Sequence, residues 1–195
     1  LHFIDDPEYQ KTKLYMKGTC FLGRDDHKLS LFAHHTQHTG DAGRPNRDFD
    51  HNYDTVNLAY ANQINSNVNM QLKTGYRGYD RRWAEDNYPD LSLREHGGVV
   101  QKIYPSDLTI GIKHAGDSML TCGADTQYAE YKTYDEVDGQ RSTGNDVTAR
   151  MAGLYLQEKF ILDKWVLRAG ARQQYTKHDY DLISGATPGR DEKSW

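Results

Sequence analysis

The chain is built from runs in which apolar and polar residues alternate, and the short turns joining these runs take strict turns with long polar stretches. Val56, Leu58 and Tyr60 alternate with Asn57, Ala59 and Ala61. After the short turn Asn65-Ser66-Asn67, Val68, Met70 and Leu72 alternate with Asn69, Gln71 and Lys73. A period of two puts successive side chains on opposite faces of an extended strand, so each run reads as a strand with one apolar face. Equivalent pairs of runs flank Gly23-Arg24-Asp25-Asp26, Ala115-Gly116-Asp117-Ser118 and Asp163-Lys164. This gives about eight strands in four hairpins. The stretches 38–52, 80–93 and 135–147 read as long loops. Pro105 has no N–H to give to a ladder, which predicts a bulge or break inside the fifth strand.

That rhythm separates two architectures. A soluble β-sandwich has no reason to gather its short turns at one end, whereas outer-membrane barrels pair short periplasmic turns with long extracellular loops. Strands of about 10 to 16 residues also exceed the five or six usual in globular sheets and suit a tilted membrane crossing. The expected fold is all-β, an antiparallel meander of about eight strands forming a section of a transmembrane β-barrel, with residues 1–195 as a single partial barrel domain. Mean hydropathy of −0.89 does not oppose this, because a barrel's lumen side can be wholly polar. The apolar runs, such as Phe160-Ile161-Leu162, are far shorter than the roughly 20 residues of a membrane helix. Aromatic residues near strand ends (Tyr15, Phe21, Tyr53, Tyr76, Tyr104, Tyr131, Tyr134, Phe160, Trp165 and Tyr175) are expected to form two interfacial girdles. The alternative is a small self-contained barrel, in the outer membrane or soluble, or a soluble sandwich, binding a partner through its loops. Packing of the apolar face against a second sheet would identify the sandwich.

Charge narrows the partners. With 28 acidic and 24 basic residues well mixed, the chain lacks the basic excess that phosphate-backbone binding leaves, so no nucleic-acid partner is expected. Leu1-His2-Phe3-Ile4-Asp5-Asp6 has neither a basic nor an apolar leader segment and reads as the start of a mature protein or of an internal piece. Cys20 and Cys122 fall on the first and sixth strands, about 24 Å apart along an open sheet, beyond the roughly 4.4 to 6.8 Å between Cα atoms that a disulfide spans. Both thiols are expected to be free.

The segment Leu154-Tyr155-Leu156-Gln157-Glu158-Lys159-Phe160, the turn at Asp163-Lys164, and Trp165-Val166-Leu167-Arg168-Ala169-Gly170-Ala171-Arg172 resemble a hairpin of TonB-dependent outer-membrane receptors. In those receptors a YxQ-(D/E) strand, a short turn and a WxLxxGxR strand recur. Leu120-Thr121-Cys122-Gly123-Ala124-Asp125-Thr126-Gln127-Tyr128 is similar to the preceding strand of such receptors. The resemblance covers about residues 119–179. It implies location in the bacterial outer membrane, no enzymatic activity, contact with outer-membrane lipid, and uptake of a small-molecule chelate such as a ferric siderophore, haem or cobalamin. It also implies contact with TonB only through a plug, and neither a plug nor a TonB box is recognisable in this stretch. Residues 185–195 do not read as a closing barrel strand.

Site chemistry is faint. No GxSxG, HExxH, phosphate-binding loop or dinucleotide fingerprint occurs, and no catalytic residue, metal centre or cofactor is assigned. His34, His35, His38 and His51 invite a haem or metal reading, but adjacent His34 and His35 face opposite ways. His34 and His38 lie ~13 Å apart along one strand, so only a folded loop would gather them. Arg77, Arg81 and Arg82 could offer charge to an anionic chelate. The expected ligand-contacting residues are therefore His38, Arg44, His51, Arg77, Arg81 and Arg82.

Overall fold

The computed structural model describes residues 8–41, 43, 47–87, 92–182 and 191–194. Eight long strands run as β1 (Glu8–Arg24), β2 (His27–Asp41), β3 (Asp48–Gln63), β4 (Val68–Asn87), β5 (Ser92–His114), β6 (Ser118–Val137), β7 (Gln140–Leu162) and β8 (Trp165–Leu182). A short β9 (Asp191–Ser194) adds to β8. All nine form one antiparallel sheet in sequence order, each strand paired to the next. A meander of this kind puts the turns at 25–26, 64–67, 115–117 and 163–164 at one end and the other connections at the opposite end. Among the described residues the sheet does not close on itself, and β1 and β9 are its edges.

Cross-strand register shows that the alternation adds up to one surface. Leu31 pairs with Leu58, Tyr60 with Leu72, Leu72 with Leu108, and Leu108 with Ala124. Ala124 pairs with Leu154 and Cys122 with Leu156. Val56, Leu58, Tyr60, Val68, Met70 and Leu72 therefore share one face, and Asn57, Asn69, Gln71 and Lys73 share the other. Among the described residues no second sheet covers the apolar face. Leu14, Leu154, Leu156, Trp165 and Leu167 lie exposed on it, each at least 50% accessible. A soluble sandwich would have buried this face. Two hydroxyls within it satisfy each other: Thr74 Oγ1 lies 2.9 Å from Ser106 Oγ and donates to the Pro105 carbonyl at 3.3 Å.

The apolar face is a band with aromatic borders. Tyr76, Tyr104 and Tyr128 stand side by side on β4, β5 and β6 with ring centroids 5.3 and 6.1 Å apart, and Arg150 lies 6.0 Å over Tyr128. At the turn end Tyr60, Phe160 and Trp165 lie on the same face. This lower border slants. Tyr60 of β3 is in register, strand by strand, with Gln173 of β8, yet Trp165 lies eight residues further toward the turns. The border thus descends ~26 Å over five strand spacings of ~24 Å, a slope of roughly 45°, matching the strand tilt of membrane barrels.

Four expectations need correction. First, the long connections are mostly ladder: 38–52 leaves only 42–47 between strands, 80–93 only 88–91, and 135–147 only Asp138-Gly139, whose φ angles of 51° and 74° make a tight hairpin turn. Both faces of these tall hairpins meet water, so the period-two signal disappears there while the backbone pairing continues. Second, β5 runs unbroken through Pro105. Pro105 pairs with Gln127 on β6, and only the β4 ladder skips, between Thr74–Ser106 and Arg77–Ile103. Third, register puts Tyr15, Phe21, Tyr53 and Tyr131 on the polar face, outside any girdle. Fourth, 191–194 adds a short ninth strand. Cys20 and Cys122 are free, on β1 and β6.

Candidate functional site

The polar face carries two groupings of side chains. Near the open end, His38 of β2 pairs directly with His51 of β3, and His51 with Arg81 of β4, forming one row across three strands. The His38 and His51 rings lie 6.1 Å apart at 84°, and Phe49 sits 5.1 and 5.0 Å from them. Tyr9 meets the edge of His38 at 5.7 Å, Arg81 stands 5.2 Å over Trp83, and Tyr53 stacks on Tyr79 at 4.6 Å. Two glycines make room for these rings: a Cβ on Gly40 would meet Phe49 at 2.6 Å, and one on Gly97 would meet Trp83 at 2.5 Å.

The row lies five residues beyond Val56, the partner of the border residue Tyr76, and so outside the apolar band. Burial first, then the Arg81 guanidinium and His38, push the His51 imidazole below its ordinary value of 6.5, against the opposing pull of Asp50. The folded state therefore favours neutral His51. As pH falls below 6.5 the unfolded chain takes up this proton first, so stability drops until the lowered value is passed. His51→Gln is expected to flatten the dependence of unfolding free energy on pH in that window. An unchanged slope in denaturant titrations at several pH values would refute this assignment.

Lower on the same face, side chains lie flat across β5 to β8. Tyr155 lies over Gly123, with its hydroxyl 2.7 Å from Thr109 Oγ1 and donating to Asp107 Oδ2 at 3.4 Å. Arg172 lies over Gly153 and donates to Asp125 Oδ2 at 2.9 Å, and a Cβ on Gly153 would meet both Arg172 Nη2 and Asp125 Oδ1 at 2.8 Å. Lys73, Asp107 and Asp125 occupy one ladder row across β4, β5 and β6.

Of the residues expected to contact ligand, the structure brings His38, His51 and Arg81 together. Arg77 shares their face but stands four residues, ~13 Å, closer to the turns. Arg82 points to the other face, bound to Asp80 at 2.8 Å, and hydrogen bonding to Asp80 holds its guanidinium firmly charged. Arg44 lies outside the described residues. Sequence reasoning missed Phe49, Trp83, Tyr79, Asp107, Asp125, Tyr155 and Arg172. The available signal was glycine inside strands, at 40, 97, 123 and 153, where a neighbouring large side chain can lie against the backbone.

A sheet with an exposed apolar band, aromatic borders and a polar opposite face has the make-up of a transmembrane β-barrel wall, in which the apolar side meets lipid and the polar side lines the lumen. The chain belongs to the TonB dependent receptor-like, beta-barrel family, whose model matches residues 12–195. Proteins of this family are receptors and transporters of the bacterial outer membrane. No curated protein matches the chain.

Proposed function

We propose that the chain is a wall segment of an outer-membrane receptor that takes up a scarce small-molecule chelate, such as a ferric siderophore, haem or cobalamin, by TonB-energised transport. The observation that carries this reading is the row His38, His51 and Arg81, set among Phe49, Tyr53, Tyr79 and Trp83 on the lumen face beyond the lipid band. A guanidinium beside flat aromatic surfaces suits a ligand that is both anionic and ring-bearing. The lipid band anchors the wall, the tall hairpins meet ligand outside the membrane, and TonB contact falls to a plug rather than to this wall.

The reading is tested by accumulation of labelled ferric siderophores, haem and cobalamin in cells producing the receptor, with and without TonB. At least one ligand should accumulate in a receptor- and TonB-dependent way, and Arg81→Ala should lower that accumulation by about tenfold, the equivalent of one lost charged contact. Accumulation indifferent to TonB, or accumulation of none of the panel, would overturn the reading.

A further inference from the structure

We propose that His38 and His51 form a two-imidazole chelating pair on the lumen wall that takes a divalent transition-metal ion of the Zn2+ or Ni2+ class, with its remaining coordination positions open. The inference rests on the receptor reading above and names a ligand chemistry for the same upper row.

Register makes the pair. The two histidines are direct partners across β2 and β3, so they need no folded loop to meet. Their ring centroids stand 6.1 Å apart with planes at 84°. A tetrahedral ion at about 2.0–2.1 Å from one nitrogen of each ring would hold the centroids roughly 5 Å apart, so the pair closes on an ion by rotation of the two side chains out of their edge-to-face arrangement. His51 Nε2 is shielded from solvent and has no hydrogen-bond partner among the described residues. An unpartnered, desolvated imidazole nitrogen costs free energy that a metal bond would offset. Imidazole donors suit zinc, nickel and copper.

The pair also limits how the ion is held. Among the described residues no group of three His, Cys, Asp or Glu side chains is placed to hold an ion. Two protein donors leave positions for water or for donor atoms of an incoming ligand, and Arg81, next in the row, opposes accumulation of positive charge. This is a site for transient capture and release, unlike a closed four-donor structural centre.

The test is calorimetric titration of the purified receptor in detergent with Ni2+ and with Zn2+, together with the His38→Gln and His51→Gln variants. One site is expected, weakened by about tenfold or more in either variant. His34→Gln is the control, because His34 shares the face but is engaged with Thr36 at 3.0 Å, and it should leave the affinity unchanged. Absence of binding, or binding indifferent to both variants, overturns the proposal. A receptor that binds neither ion yet accumulates a chelate through TonB overturns the pair and leaves the receptor reading standing. Metal binding that depends on both histidines, in a receptor without TonB-dependent accumulation, supports the pair and overturns the receptor reading.

Discussion

Leu108→Arg is expected to destabilise the folded barrel by about 2–4 kcal/mol, the cost of a cation at mid-depth on a lipid-facing wall. Leu108 lies in the middle of the apolar band, paired with Leu72 and Ala124, and both of its neighbours along the strand point into the lumen. Gln71→Arg supplies the contrast. Gln71 pairs with Ala61 and Thr109 on the lumen face, where water reaches the new charge, so its cost should stay within about 0.5 kcal/mol, as for ordinary surface substitutions. Reversible urea unfolding from lipid vesicles measures both. Equal costs, or a larger cost for Gln71→Arg, would mean that the faces are assigned the wrong way round.

Gly123→Ala should cost roughly 1–3 kcal/mol, an unusually large effect for adding one methyl group to a strand. The new Cβ would collide with the Tyr155 ring and would stand 2.5 Å from the Leu108 carbonyl oxygen, which belongs to the neighbouring backbone and cannot swing aside. Displacing the ring also breaks its hydroxyl contacts to Thr109 and Asp107. Tyr155→Phe isolates that part and should cost about 1 kcal/mol by itself. Gly18→Ala is the matched control: on the edge strand β1 a Cβ at this position would meet no atom within 4 Å, so the protein should be no less stable than wild type. Thermal or urea unfolding of the three variants decides the matter, and a Gly123→Ala protein as stable as Gly18→Ala would show that Tyr155 does not lie over Gly123.

The two faces were legible in the sequence because they meet different solvents. Leu58 and Leu72 lie in the apolar band while Asn57 and Gln71 lie opposite it, so alternation survives wherever that band runs. Beyond the aromatic border that pressure ends, which is why the strand at 140–147 reads as a loop although Asp146 pairs with Lys132 and binds it at 2.8 Å. Grouping Arg81 with Arg82 by adjacency fails for the opposite reason: strand geometry separates neighbours absolutely, sending one to the lumen and the other outward to Asp80. His38 with His51, and Asp125 with Arg172, depend on register across strands, which composition and spacing along the chain do not carry.

The slant of the apolar border gives the wall a screw sense. The upper border stays level through Tyr76, Tyr104 and Tyr128 and drops two positions to Tyr175 on β8, where Lys177 is in register, while the lower border descends eight positions from Tyr60 to Trp165. In a closed barrel of tilted strands the hydrogen-bonded rows wind around the axis like a thread, and so does any line of side chains that follows them. A body moving straight along the axis would trade its contacts row by row, while one that turned as it advanced could keep to the same thread. On a wall of tilted strands, rotation and translation along the axis are geometrically coupled for any body that keeps to one row.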